Sequence, residues 1–392
     1  MGLLNYDSFN RSNSATLGST DGSGALDPAA WSVTSTGTNT IGINTSKAQS
    51  SGGTGNTWAT LATGVTDVVT QITLGSGTLA GAITRFTSSA DYYGVVGSST
   101  AYTVIVSGHT HNLLGTGAAQ IGDVLITSID SYISRFWINN RLIHVATTFA
   151  SPKATAHGFW MGAGTNNADD FFCYTGPGVN VTRGGWAVGR IEMGGGGGAS
   201  SAVPADNPTI YAADNFQRSG SIVGTSTDGD GSLGACPYTV VLGGWTANAA
   251  NSAVNCTSIS SGWGVLGFET GISDGELYFL AGTIGSGYAG VAFRIVDSQN
   301  FLCALNTGGG GAKIIQKVVA GVATTIGSGT TGSTDLGRIV FNGDHLQYFN
   351  QGETSATIDI HDSTFQTATI HGYATQFTGS PIMRGVVFTS PR

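Results

Sequence analysis

The chain has 392 residues, a length typical of two domains, and only 10% of them are charged. The formal net charge is −8, and the 15 Lys and Arg residues form no basic run, which argues against a nucleic-acid partner. Glycine is abundant, at 62 residues, and no segment has the apolar period of an amphipathic helix. The composition therefore predicts short strands joined by turns.

The chain carries no obvious targeting or membrane segment. Met1 is followed by polar sequence rather than by the basic and apolar regions of a secretory signal, so we expect synthesis in the cytoplasm without export. The longest uncharged apolar stretch, residues 277–293, is interrupted by glycines and is too short to span a membrane. We therefore expect no membrane insertion.

The first motif of the chain, residues 7–24, returns without a gap at residues 214–231, an offset of 207 residues. Later matches have slightly larger offsets, as expected when loops lengthen and strands do not. The sequence thus predicts two copies of one domain. The repeated motif residues are Asp7, Phe9 and Arg11 in the first copy and Asp214, Phe216 and Arg218 in the second. We favour a salt bridge that holds each domain start onto its sheet over one edge of a ligand site.

Strand-like segments follow one another in each copy. In the first copy they include residues 68–74, 102–106 and 133–138, and Asn139-Asn140 is typical of a hairpin turn. Matching segments in the second copy are residues 277–280, 289–296, 313–319 and 345–349. Many antiparallel strands without helices predict an all-β fold of two tandem antiparallel β-sandwiches of the jelly-roll type. We predict a first domain over 1–193, a Gly/Pro linker over 194–208 and a second domain over 209–392.

Several of these motifs resemble those of a known family. They are the Asp-x-Phe-x-Arg motif, the pair Gly244-Trp245, Ala-Gly-x-x-x-Arg at 80–85 and 289–294, and Asp169-Asp170-Phe171. The pattern resembles laminin G-like domains, which are concanavalin A-like lectin/glucanase jelly rolls. Glycine-rich tandem versions resemble minor tail proteins of actinobacteriophages such as mycobacteriophages. The first copy lacks Gly-Trp around residues 37–57, and the second lacks Asp-Asp-Phe.

The resemblance implies a place in the virion, near the tail tip. It implies lectin-like domains that contact host cell-envelope polysaccharide or pack against other phage tail proteins, with a homotrimer as a plausible assembly. Aromatic rings are the side chains on which sugars stack. Four aromatic residues near glycine-rich segments are therefore our expected exposed ligand contacts: Trp160, Trp186, Tyr92 and Tyr93.

The carboxylates argue against catalysis. A retaining glucanase needs two carboxyl groups about 5–5.5 Å apart. The nearest candidates are Glu269, Asp274 and Glu276, but their spacing does not match the Glu-x-Asp-x-(x)-Glu strand of glucanases. We therefore expect no enzyme activity. A glycoside hydrolase acting on cell-envelope polysaccharide is one alternative, and a structural spacer without a ligand is another.

Metal and disulfide candidates are few. Asp21-Gly22 and the segment 228–231 offer oxygen atoms for calcium, but Asp and Gly also favour turns, and we expect no cofactor. His109 and His111 lack a third metal ligand. Cys236 and Cys256 could form a disulfide or remain free, and the sequence leaves both possibilities open.

Overall fold

The computed structural model describes residues 2–391 apart from 22–23, 27, 78, 107–108, 114–116, 131–132, 148–153, 176–207, 215, 217, 228–231, 249–252, 282–287, 308–311, 331–335, 351–354 and 379–382. The chain divides into two compact units, Met1–Asn207 and Pro208–Arg392. Residues 194–207 of the predicted linker lie outside the described residues. No helix in the described part of the chain is long and apolar enough to cross a membrane.

The first unit contains fifteen strands. They are β1 Leu3–Asp7, β2 Ser32–Ser35, β3 Ile41–Asn44, β4 Lys47–Ser50, β5 Thr57–Ala62, β6 Val68–Leu74, β7 Ala80–Ser88, β8 Asp91–Gly97, β9 Tyr102–Val106, β10 His109–Leu113, β11 Val124–Asp130, β12 Ile133–Ile138, β13 Arg141–Thr147, β14 Ala156–Met161 and β15 Asn167–Thr175. An eight-stranded sheet has the order β13-β12-β11-β6-β15-β4-β3, with β1 also paired to β15. A seven-stranded sheet has the order β10-β9-β8-β7-β14-β5-β2.

The second unit contains sixteen strands. They are β16 Ile210–Asp214, β17 Gly220–Ser221, β18 Tyr238–Leu242, β19 Gly244–Asn248, β20 Ala253–Ser258, β21 Gly264–Glu269, β22 Gly275–Ala281, β23 Tyr288–Asp297, β24 Asn300–Thr307, β25 Ala312–Val319, β26 Val322–Thr330, β27 Leu336–Asn342, β28 His345–Asn350, β29 Ile358–His361, β30 Ile370–Thr375 and β31 Met383–Thr389. A nine-stranded sheet has the order β17-β19-β20-β31-β22-β27-β28-β29, with β16 paired to β31. A seven-stranded sheet has the order β18-β21-β30-β23-β24-β25-β26.

The two units share one topology. Read from opposite ends, their seven-stranded sheets follow the same order of equivalent strands, from β2 and β18 through β5 and β21 to β10 and β26. Each unit encloses one apolar core between its two sheets, formed by the inward side chains of alternating positions. The described residues contain strands and no helix, and the strand pairs are antiparallel. These features confirm the predicted all-β fold class of two tandem antiparallel β-sandwiches of the jelly-roll type.

The repeated Asp-x-Phe-x-Arg motif forms a buried clamp at the start of each unit. In the first unit the fully buried Asp7 accepts hydrogen bonds from the Phe9 N–H at 2.8 Å, from two Arg11 nitrogens and from Trp31 Nε1 at 2.8 Å. Phe9 takes a φ of 53°, a left-handed conformation that costs energy and is held here by the surrounding contacts. A carboxylate without solvent requires this many donors, because each unmet hydrogen bond would be costly.

The second unit builds the same clamp with one different partner. Asp214 accepts from the Phe216 N–H at 2.7 Å and from Arg218, whose two nitrogens lie 3.0 and 2.6 Å from the carboxylate oxygens. The hydroxyl of Tyr238 donates to Asp214 Oδ2 at 2.7 Å and takes the place of the Trp31 indole. The clamp is therefore structural, as the salt-bridge interpretation of the motif expected.

A buried histidine that contacts a bulged strand is a second feature that both units share. His157 Nδ1 accepts the Arg85 N–H at 3.0 Å and His157 Nε2 lies 2.7 Å from the Val65 carbonyl oxygen. His371 makes the same contacts with Arg294, at 3.1 Å, and with Ile272, at 2.8 Å. Both arginines have positive φ, of 45° and 51°, where their strands bulge. The imidazole ring therefore accepts the N–H group that the bulge turns away from the ladder, and its other nitrogen contacts a loop carbonyl oxygen.

We expect Asp214→Asn to destabilise the second unit by about 3 kcal/mol, because the change leaves the Arg218 guanidinium without its buried anionic partner. Asp7→Asn should destabilise the first unit by a similar amount. Denaturant unfolding of the whole chain measures both effects. Asp297→Asn, at an exposed hairpin of the second unit, is the control and should change the free energy of unfolding by less than about 0.5 kcal/mol. Equal effects of Asp214→Asn and the control would contradict a structural clamp.

The buried histidines predict loss of stability in acid. Burial lowers the pKa of His157 and of His371 from 6.5 to about 4. Between pH 6.5 and 4 the unfolded chain binds a proton at each position that the folded chain does not, so the free energy of unfolding falls as the pH falls through this window. The expected loss is about 3 kcal/mol per histidine. Thermal melting across this range measures it, and His371→Asn should flatten the second unit's profile whereas exposed His361→Asn should not.

Candidate functional site

The aromatic residues expected to be exposed are buried. Tyr93 lies in the core of the first unit with no exposed surface, and Tyr92 and Trp160 are 6% and 7% exposed. Trp186 lies outside the described residues. The expectation of exposure was wrong for the other three because their neighbouring glycines are strand residues rather than loop residues. At Gly158, for example, a Cβ atom would lie 1.9 Å from the Ala59 carbonyl oxygen, so glycine permits close strand pairing there.

Tyr92 and Trp160 belong to an aromatic cluster on the outer face of the seven-stranded sheet. The Trp58 ring centroid lies 5.9 Å from that of Phe86 and 5.9 Å from that of Tyr92. Trp160 and several aliphatic residues complete the cluster. Burial raises the pKa of Tyr92, and the buried Nε1 atom of Trp160 has no hydrogen-bond partner among the described residues. These rings form a second apolar layer and offer no open face to a sugar.

The second unit does not repeat this cluster. Val265, Ala374 and Phe301 occupy the positions of Trp58, Trp160 and Tyr92. Its outer apolar layer is instead built around Trp263 and Phe301, whose ring centroids lie 5.3 Å apart in an edge-to-face arrangement. The aromatic cluster is therefore an individual feature of the first unit.

The calcium candidate of the first unit is occupied by protein donors. Asp21 Oδ2 accepts the Ser8 N–H at 2.7 Å and the Ser8 hydroxyl at 2.5 Å, and Arg11 lies 3.2 Å from Asp21 Oδ1. Gly22 and residues 228–231 lie outside the described residues. Where the structure describes the chain, no group of three or more His, Cys, Asp or Glu is placed to hold a metal ion.

The four cysteines are buried, and none of them forms a disulfide. Cys236 and Cys256 both lie in the core of the second unit without a disulfide. Burial raises the pKa of Cys256 to about 11, so this thiol stays protonated and unreactive at neutral pH. The cysteines therefore contribute packing rather than chemistry.

The three carboxylates considered for catalysis have separate partners. Glu269 Oε1 accepts the Gly271 N–H at 2.7 Å, and Asp274 lies 2.8 Å from Arg294 Nη2. Glu276, which is 2% exposed, accepts from the Tyr278 hydroxyl at 2.9 Å and lies 3.2 Å from Arg338 Nη1. The Arg338 guanidinium in turn stacks on the Phe349 ring at 3.9 Å.

The outward face of the nine-stranded sheet becomes exposed and polar towards the edge formed by β28 and β29. Core residues alternate with outward residues along β28 and β29, so the outward side chains form one surface. We call the polar outward residues of these two strands, together with Asp344 in the preceding turn, the β28–β29 face. Its members are Asp344, His345, Gln347, Asp359 and His361. Side-chain exposure rises to 53% at Asp359 and 66% at His361.

Hydrogen bonds organise the β28–β29 face. Asp359 lies between two donors of the neighbouring strand, His345 Nε2 at 2.6 Å and Gln347 Nε2 at 2.8 Å. These hydrogen bonds, that of Gln347 first, lower the pKa of Asp359, which is therefore a carboxylate at neutral pH. His361 Nδ1 lies 3.3 Å from Asp344 Oδ1. The face thus presents carboxylate, amide and imidazole groups from rigid paired strands.

Sequence reasoning did not identify this face as a candidate site. The alternation of polar residues at 345 and 347, and at 359 and 361, was a signal of an outward strand face, but the sequence does not show that the two strands pair. The register brings His345 opposite His361 and Gln347 opposite Asp359. In the first unit the corresponding β12 positions hold Ile133 and Arg135, both buried. The polar face is therefore specific to the second unit.

No family model matches the chain, and no curated protein sequence matches it. Solved structures are similar at low identity. A carbohydrate-binding module, CBM66, from Bacillus subtilis is 20% identical over 39% of this chain and 92% of its own, with a TM-score of 0.29. Domain 4 of the GH43 arabinanase AbnA from Geobacillus stearothermophilus, in complex with arabinotriose, is 13% identical over 45% and 93%, with a TM-score of 0.29.

Domains LG4-5 of the mouse laminin α1 chain are 7% identical over 82% of this chain and 80% of their own, with a TM-score of 0.22. At these identities and TM-scores no ligand, activity or site residue can be transferred from any of the three structures.

We expect Glu276→Gln to destabilise the second unit by about 1–3 kcal/mol, because Arg338 loses its buried anionic partner. The measurement is denaturant unfolding, and Glu269→Gln, at the exposed end of β21, is the matched control that should have little effect. A loss of glycan-hydrolysing activity in Glu276→Gln, without a loss of stability, would contradict the structural role of Glu276.

Proposed function

We propose that the chain is a non-catalytic phage virion protein, a minor tail or tail-tip component, whose second unit binds host cell-envelope polysaccharide through the β28–β29 face. The observation that carries this proposal is the exposed row of carboxylate, amide and imidazole groups on paired strands. Such planar groups are suited to hydroxyl-rich ligands, because each hydroxyl both donates and accepts hydrogen bonds.

The rigidity of the face supports binding. Gln347 and Asp359 are directly paired across the strands and already held by a mutual hydrogen bond, so a ligand would restrict them little further. Individual sites of this kind bind weakly. Display of several copies on one virion would increase the effective affinity through multivalency, without any new contact.

The arrangement of carboxylates supports binding without catalysis. Glycoside hydrolysis uses two carboxyl groups that flank one bond. Glu276 and Asp274 are engaged by Arg338 and Arg294, respectively, and Asp359 is held by His345 and Gln347. These pairings favour a carboxylate role in structure and hydrogen bonding over general acid catalysis.

The place in a phage tail is supported by the sequence motifs and the tandem arrangement. The first unit lacks the polar face, and its equivalent β12 positions are buried. We therefore assign packing against other tail proteins to the first unit and glycan contact to the second. Mass spectrometry of purified virions of the phage that encodes the chain tests the location, and absence of the protein from the particle would overturn it.

We expect the double variant Gln347→Ala/Asp359→Ala to bind actinobacterial cell envelopes at least about tenfold more weakly than the unmodified chain, a loss of about 1.4 kcal/mol. The measurement is saturation binding of the whole chain to purified envelopes. Asp297→Ala, on an exposed hairpin of the other sheet, is the matched control and should bind normally. Unchanged binding by the double variant would move the site elsewhere, and no binding by any form would favour a purely structural protein.

A further inference from the structure

Two histidines of the β28–β29 face are stacked across neighbouring strands. His345 and His361 are opposite each other in the strand register, and their ring centroids lie 4.7 Å apart with an angle of 6° between the planes. Both side chains are exposed, at 38% and 66%. The chain has seven histidines, and the buried pair His157 and His371 differ from these two because backbone groups engage both of their ring nitrogens.

Each exposed ring has one nitrogen facing a carboxylate. His345 Nε2 lies 2.6 Å from Asp359, and His361 Nδ1 lies 3.3 Å from Asp344. A carboxylate oxygen accepts a hydrogen bond from a protonated ring nitrogen. Each contact therefore favours the tautomer in which the other ring nitrogen keeps its lone pair. In the described part of the chain, His345 Nδ1 and His361 Nε2 have no hydrogen-bond partner. Metal-binding histidines in proteins commonly have this carboxylate contact on their second nitrogen.

We propose that His345 and His361 form a binding site for a divalent transition-metal ion, with Asp344 and Asp359 orienting the rings. Neutral imidazole suits Zn²⁺, Ni²⁺ and Cu²⁺, whereas Ca²⁺ and Mg²⁺ prefer oxygen ligands. The protein supplies two nitrogen ligands here, and no third His, Cys, Asp or Glu among the described residues is placed to join them. The remaining coordination positions are therefore open to water or to an oxygen atom of a ligand.

The inference is independent of the proposed glycan binding, because it concerns the metal alone. A metal ion lies close to the plane of each imidazole that ligates it, so the two parallel rings must rotate out of their stack before both can bind one ion. Both side chains are exposed, at 38% and 66%, which leaves room for this rotation. Affinity should follow the general order for nitrogen sites, with Cu²⁺ tighter than Ni²⁺ or Zn²⁺.

Isothermal titration calorimetry of the whole, untagged chain in chelator-treated buffer, with CuCl₂, NiCl₂, ZnCl₂ and CaCl₂ in the absence of glycan, tests the site. We expect one transition-metal ion per chain at this site and no heat with Ca²⁺. His361→Phe keeps a ring for stacking and removes the nitrogen ligands, so it should weaken binding at least about tenfold. Asp359→Asn keeps the strand pair and should weaken binding less.

The matched control is the double variant His109→Phe/His111→Phe, which removes the other closely spaced histidine pair, in the first unit. It should leave the site unchanged. Circular dichroism and melting of each variant verify that the fold persists. Absence of transition-metal binding, equal binding by His361→Phe, or loss of binding only in the His109/His111 variant would each overturn the proposal. Loss of metal binding with retained envelope binding would separate this site from glycan recognition.

Discussion

The fold of each unit depends on a carboxylate that is buried without solvent. Asp7 and Asp214 are fully buried, and a buried carboxylate is tolerated only where donors surround it. The chain meets this requirement locally, with the N–H of the residue two positions on and the guanidinium of the residue four positions on. The third donor comes from a distant aromatic residue, which ties the first strand to the opposite sheet. This requirement explains why Trp31 and Tyr238, although different residues, both place a donor at the same carboxylate.

The buried histidines act on the backbone in a comparable way. Where β7 and β23 bulge, Arg85 and Arg294 take positive φ, and their N–H groups turn away from the ladder to an imidazole nitrogen. The guanidinium groups then pair with Asp67 at 2.9 Å and Asp274 at 2.8 Å. A bulge reverses the alternation of side chains, so these contacts decide which residues beyond it face the core. The orientation of the sheet faces is thus set by a few polar groups that both units retain.

The sequence predicted the features that depend on residues close together in the chain or on the repeat. The repeat, the strands and the Asp–Arg pairs could be read from residue order because their partners lie within a few positions or recur at a constant offset. The aromatic residues could not be placed in this way, because consecutive Tyr92 and Tyr93 point to opposite faces of one strand and glycines such as Gly158 lie within the sheet. The β28–β29 face depends on strand register, which brings His345 opposite His361 although sixteen positions separate them. Residue spacing alone does not encode that contact.

The units retain the residues that fix the backbone and differ on their outer faces. The clamp and the buried histidine recur with nearly equal distances in both units. In contrast, the outer aromatic cluster around Trp58 is absent from the second unit, and the polar face around His345 is absent from the first. Outer-face side chains can change without disturbing the core, because they alternate with inward residues on the same strands. A duplicated sandwich of this kind can therefore assign packing to one copy and ligand contact to the other while both keep the same fold.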